Sequence, residues 1–135
     1  MEINIEEIYD VLILRHGFHS NNREYVFIIE TNWIDNQDGQ YLLTFKDCFD
    51  LSFRTTAEQV NGSDWSGNCV NLYPGFESPS DSDNAIEWSR KTNLKLQEYN
   101  LTTELFTMKF ISSGFDLKKL NENTNSIDKV SFTIS

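Results

Sequence analysis

An α+β domain dominated by antiparallel β-sheet, with one or two short helices, is the fold class the sequence predicts, and three observations carry it. Arg23 to Thr55 holds three apolar runs at period-2 spacing, the first two joined by a polar turn. Ten Phe, five Tyr and three Trp supply the large side chains enriched in strands. Helix signals are confined to a short stretch near Ala85 to Lys91 and a weaker one at the N-terminus. With no long linker, residues 1–135 read as a single domain, long enough to bury roughly two-thirds of the surface its unfolded chain exposes.

Taken in order, Asn4-Ile5-Glu6-Glu7 has the form of a capping box, a polar cap followed three residues later by Glu, and predicts a helical turn. Val11 to Phe18 is apolar, short and ended near Gly17, which predicts a strand buried on both faces near its middle. The polar loop His19 to Asn22 returns the chain antiparallel along Glu24 to Thr31, and Tyr41 to Asp47 pairs next. Asp38-Gly39 supplies the positive φ that a turn between these two strands needs. Phe49 to Thr55 follows too soon for a crossover helix, so it is expected as a bulged continuation or as the neighbouring antiparallel strand.

From Ala57 to Ser82, clusters of Gly, Pro, Asn and Ser break the pattern, yet Trp65, Val70, Leu72, Tyr73 and Phe76 give this irregular stretch enough apolar mass to pack over a sheet face. Ser80 or Asp81 then caps a helix of two or three turns that ends near Asn93. Strands are expected again at Leu94 to Leu101, Glu104 to Ser112, Phe115 to Leu120 and Lys129 to Ile134, with Phe106, Met108 and Phe110 inward. Leu43-Thr44-Phe45 before Phe49-Asp50-Leu51 is echoed by Met108-Lys109-Phe110 before Phe115-Asp116-Leu117, a match that strand-turn-strand packing alone can produce.

The formal net charge is −10, which repels phosphate backbones and anionic membrane surfaces, so neither nucleic acid nor a membrane is the expected ligand. A basic partner protein would be steered towards such a surface, although acidity also serves solubility. Cys48 and Cys69 are expected as free thiols. The acidic N-terminus lacks a basic leader region and no apolar run approaches the ~20 residues of a membrane helix, so the expected location is cytoplasmic. The sequons at Asn61 and Asn100 then carry no meaning.

Both histidines lie in Arg15-His16-Gly17-Phe18-His19. Metal ligation by His16 and His19 would need a carboxylate such as Asp47 or Asp50 from across the sheet. The competing reading is a hydrogen-bonded His16 at a strand end with His19 in solvent. Asp35 to Gly39 imitates a calcium loop, but with Gly39 at the sixth position the first and twelfth fall on Ile34 and Phe45, which cannot coordinate calcium. Cys48 beside Asp47, with His16 near, can be staged as a nucleophile, but a neighbouring carboxylate raises a thiol's pKa and so opposes activation. No phosphate loop, G-x-S-x-G or H-E-x-x-H is present, and no cofactor is implied. Trp33, Trp65 and Tyr73 are loop aromatics that either plug the sheet or anchor an interface, and Glu77, Asp81 and Asp83 lie close to them in sequence.

His16-Gly17-Phe18, Arg23-Glu24-Tyr25, Phe45-Lys46-Asp47-Cys48, Trp65-Ser66, Tyr73-Pro74-Gly75 and Trp88 together resemble the YxiG-like group of small bacterial proteins. The resemblance implies no established catalytic residues and a setting near toxin-immunity genes. Two functional expectations follow from these readings. The first is a non-enzymatic module that binds a basic partner such as a toxin, through Trp33, Trp65, Tyr73, Glu77, Asp81 and Asp83. The second is a small-ligand- or metal-dependent enzyme using His16, His19, Asp47 and Cys48. A structural protein whose acidity serves only solubility is the third possibility.

Overall fold

The computed structural model describes residues 3–19, 23–31, 39–55, 70–120 and 132–133. Trp33, Trp65, Cys69, the Asp35 to Asp38 part of the hairpin loop and the first half of the irregular stretch, residues 57–69, lie outside the described residues. The fold is α+β and mostly antiparallel sheet, as the alternation predicts. Ten strands are described: β1 Val11–His19, β2 Tyr25–Thr31, β3 Gly39–Lys46, β4 Phe49–Thr55, β5 Val70–Leu72, β6 Gly75–Phe76, β7 Gln97–Thr102, β8 Phe106–Ser112, β9 Gly114–Lys119 and β10 Phe132–Thr133. One α-helix, α1, spans Asp83–Thr92. The first sheet has the order β10-β1-β2-β3-β9, with β5 also pairing β1, and the second has the order β4-β8-β7-β6.

The β1-β2-β3 meander forms as expected, but Phe49–Thr55 does not extend it. β3 takes β9 as its next neighbour, while β4 pairs β8 in the other sheet. The local cause is backbone geometry at two aspartates. Asp47 at φ 50° and Asp50 at φ 52° occupy the left-handed region that Asp tolerates better than most residues, and together they turn the chain out of the first sheet. The corner is fastened by Ser112, whose hydroxyl donates to the Lys46 carbonyl at 2.6 Å, and by Ser113, whose hydroxyl donates to the Asp47 carboxylate at 2.8 Å. The internal echo falls on this corner. β3-β4 leaves the first sheet for the second, β8-β9 makes the reverse crossing, and the two segments pair with each other, Phe45 opposite Phe115 and Phe49 opposite Ile111.

The inner faces of the two sheets meet in one core. Tyr25, Phe27 and Ile29 from β2, Tyr41, Leu43 and Phe45 from β3, and Phe106, Met108 and Phe110 from β8 are all buried there, so the inward set expected for β8 is the observed one. Phe45 is the hub, with its ring 4.8 Å from that of Phe110, 5.1 Å from Tyr99 and 5.4 Å from Phe76. β1 corrects the expectation of burial on both faces: Val11 and Ile13 face the core, whereas Leu12 between them is 40% exposed. The N-terminal turn is present as a 3-10 turn over Ile5–Glu7, but Asn4 makes no side-chain cap bond. Ile5 and Ile8, sealed in the core, anchor the turn instead.

The helix α1 lies against the second sheet, where Ala85, Leu96 and Ile111 form a small separate core beside Phe49 and Trp88, whose rings stack at 5.0 Å. Its cap is Ser82, not Ser80 or Asp81. The Ser82 hydroxyl accepts from the Ala85 N–H at 3.1 Å and donates to Glu98 at 2.9 Å, while Ser80 bridges to Glu98 in the sheet. Asn93, at φ 62°, closes the far end. β7 begins at Gln97 rather than Leu94 because the Leu96 N–H donates to the Ser89 hydroxyl at 2.9 Å, which holds Leu96 to the helix. Ser82→Ala removes both the cap and the tie to β7, and is expected to cost about 1–2 kcal/mol, readable as a lower urea midpoint with unchanged slope.

Candidate functional site

The sheet edges formed by β5 and β6 carry the surface with the most concentrated binding chemistry. Its scaffold is Tyr73-Pro74-Gly75. Gly75 sits at φ 105°, and a Cβ there would stand 2.9 Å from the Tyr9 Cβ and 3.3 Å from the Ile8 carbonyl oxygen. Only glycine permits that approach, which brings Tyr9 against the start of β6. Tyr9 is 48% exposed and Tyr73 58%, so two aromatic side chains, one on each side of this contact, face solvent.

Asn71, on β5, organises the charges around them. Its side-chain amide donates to the Asp10 carboxylate at 3.3 Å, its backbone N–H donates to the Glu104 carboxylate at 3.2 Å, and its carbonyl accepts from the Glu104 N–H at 3.4 Å. The Asp10 N–H in turn donates to the Leu72 carbonyl, and Asp10 takes φ 57°. Two carboxylates from distant parts of the chain are thereby fixed beside the tyrosines.

Beyond Gly75 the chain runs along the outer edge of β7. Phe76 pairs with Leu101, the Glu77 N–H donates to the Asn100 carbonyl at 2.9 Å, and Asp81 accepts from the Gln97 side-chain amide at 3.3 Å. Asp83 lies in the first turn of α1, where a negative charge is favoured by the helix dipole. Tyr73 before β6, Glu77 and Asp81 along the outer edge of β7, and Asp83 at the start of α1 therefore follow one another along the chain, all exposed. Trp33 and Trp65 lie outside the described residues. Tyr9, Asp10, Asn71 and Glu104 were not legible as site residues; the only local sign was an aromatic-acid pair, Tyr9-Asp10, ahead of the first strand.

Of the histidine-cysteine group only Cys48 is buried; His16, His19 and Asp47 are partly exposed. His16 Nδ1 is 2.6 Å from the Tyr25 hydroxyl. Its ring lies against Phe27, Phe53 and Phe106, with centroids 5.7, 6.1 and 5.2 Å away. Burial lowers the His16 pKa, so the imidazole is held neutral, and burial raises that of Tyr25, with a smaller contribution from Cys48. A phenol that keeps its proton is a donor as well as an acceptor, so the 2.6 Å contact is open to either neutral tautomer of His16. Cys48 is a free, buried thiol pushed up to about 12 by burial, against a smaller opposing effect of Arg23. The direction matches the expectation for a thiol next to Asp47, but the cause is desolvation. Asp47 itself accepts from Ser113, and His19 ends β1, its backbone N–H donating to the Glu24 carbonyl at 2.8 Å. Among the described residues no three His, Cys, Asp or Glu side chains gather as a metal-binding group. No helix among them is long and apolar enough to cross a membrane.

Comparison with known proteins returns one family and no curated protein. The family is described as YxiG-like protein, and its model matches residues 44–130. That stretch includes the β3-β4 corner, the Tyr73-Pro74-Gly75 edge, α1 and β7 to β9; His16-Gly17-Phe18 and Arg23-Glu24-Tyr25 precede it. With well over half of its length matched, the chain belongs to the YxiG-like family.

Proposed function

We propose that this protein is a non-enzymatic, protein-binding module that engages a basic partner through the edge carrying Tyr9, Tyr73, Asp10 and Glu104, with Glu77, Asp81 and Asp83 continuing the acidic surface. Its concrete form is an immunity protein that neutralises a toxin. The observation that carries the reading is the pair of half-exposed tyrosines, Tyr9 and Tyr73, flanking in sequence the Asp10 and Asn71 that bond one another, with Glu104 held by the same Asn71. Tyrosine anchors contribute contact area at little entropic cost, and fixed charges select the partner's sign and speed its approach. The net charge of −10 adds a long-range field of the same sign.

The enzyme reading has less support. His16 is occupied by Tyr25, Asp47 by Ser113, and the Cys48 thiol is held protonated, the reverse of what a nucleophile needs.

The test is affinity capture from the native cell extract, compared across variants. Tyr73→Ala is expected to weaken retention of a basic protein about tenfold or more, and Asp10→Lys to do the same with a flatter salt dependence. Asp81→Lys, further along the edge, should have a smaller effect. Unchanged retention in both Tyr73→Ala and Asp10→Lys would remove this edge as the interface.

A further inference from the structure

A second surface, on the outer face of the β4-β8-β7-β6 sheet, has the opposite electrostatic character. The helix α1 covers the end of this face that carries Phe49 and Ile111. The rest is open and forms a groove of about 440 Å³. Pairing of the strands arranges its floor in two rows that cross the sheet. One row is Ser52, Lys109 and Asn100; the other is Arg54, Thr107 and Thr102. Residues directly opposite one another share a face, so all six side chains project to the same side. Arg54 and Lys109 are diagonal neighbours on adjacent strands, roughly 7–8 Å apart at that spacing.

In a chain with 21 acidic and 11 basic residues, two adjacent cations would be expected to find carboxylates. Neither does: both are exposed, and among the described residues neither Arg54 nor Lys109 forms an ion pair. Their neighbours on the floor are hydroxyls and an amide. The one carboxylate lining the groove, that of Glu77, sits beyond β7 at the far edge, where the Glu77 N–H donates to Asn100.

We propose that this groove binds a small ligand bearing an oxyanion, a phosphate or a carboxylate. Arg54 supplies the planar fork that such a group accepts from, Lys109 the second charge, and the hydroxyls of Ser52 and Thr107 the remaining hydrogen bonds. Glu77 sets the orientation, because it repels the anionic end and accepts from a hydroxyl or amine at the other. The volume suits a small molecule, and the overall negative charge disfavours an extended polyanion such as nucleic acid. This site meets the proposed protein-binding surface only at Glu77, and it needs no partner protein.

The test is amide chemical-shift perturbation on the full-length, isotopically labelled protein, titrated separately with inorganic phosphate and with acetate at constant ionic strength. Saturable shifts confined to β4, β7 and β8 around Arg54, Thr107 and Lys109 are expected with at least one of them, and the anion that gives them identifies the oxyanion. Arg54→Ala and Lys109→Ala, both at exposed positions, should each weaken that binding about tenfold, whereas Lys95→Ala, which removes an exposed cation elsewhere, should leave it unchanged. Glu77→Gln should tighten it. Shifts with neither anion, shifts spread over the whole surface, or binding that Arg54→Ala and Lys109→Ala leave intact would each overturn the assignment.

Discussion

Phe45→Ala is expected to destabilise the protein by about 3–5 kcal/mol, the range for deleting a fully buried aromatic ring. Phe45 is 0% exposed, and its ring meets those of Phe27, Phe76, Tyr99, Phe110 and Phe115. These come from β2, β6, β7, β8 and β9, so the ring joins the two sheets from the strand that passes directly into the corner between them. Little around it can collapse to fill the gap, because the neighbouring rings are themselves held by strand pairing. Against a total stability of about 5–15 kcal/mol, the loss is a large fraction of what holds the fold. Calorimetry should show the melting temperature falling by about 10–20 °C. Ile86→Ala, at a position 52% exposed on α1, should stay within about 0.5 kcal/mol of the parent.

The second large effect is a dependence of stability on pH. His16 has its folded pKa lowered by burial, so below about pH 6.5 the unfolded chain takes up a proton that the folded protein resists. The stabilisation from neutral His16 is complete above the unfolded value and is lost as pH falls towards the folded one, with a slope approaching about 1.4 kcal/mol per pH unit. The alkaline side is governed by Cys48. Its pKa of about 12 exceeds the ordinary 9.0, so stability is complete below the unfolded value and declines as pH rises between the two. Urea titrations from pH 4.5 to 10.5 should therefore give a plateau near pH 7–8.5 with losses on both sides. His16→Phe should flatten the acid limb while lowering the plateau by about 1–3 kcal/mol, because the Tyr25 hydroxyl loses its hydrogen-bond partner. An acid limb as steep as the parent's in that variant would show that His16 is not its source.

The contrast between β2-β3 and β4 explains what a single sequence reveals of this fold. Period-2 alternation fixes which side chains of a strand share a face, and that was enough to place Phe106, Met108 and Phe110 inward. It does not say which strand lies alongside. Phe49–Thr55 alternates equally well as a fourth meander strand or as part of a second sheet, and the choice was made by the left-handed geometry at Asp47 and Asp50, which Asp tolerates but does not dictate. The helix was legible because its start, apolar face and stop are local. Its cap moved to Ser82 because only that hydroxyl reaches both Ala85 and Glu98.

The candidate site was legible only in part for a similar reason. Tyr73 and Glu77 stand out by type and neighbourhood. Asp10 and Glu104 join them only through Asn71, across sequence separations of 61 and 33 residues that no local pattern encodes. The Arg54-Lys109 groove is hidden in the same way, since its two rows exist only once β4 has left the first sheet for β8.

The most direct measurement of the protein-binding role is site-specific photo-crosslinking in the native cell, with a benzophenone amino acid at Tyr73 and, as the control, at the comparably exposed Ile86 on α1. A covalent adduct to one protein with a basic surface is expected from position 73, abolished when Asp10→Lys is added, and none from position 86. An adduct from position 86 alone, or none from position 73 in cells that express the neighbouring genes, would contradict that role.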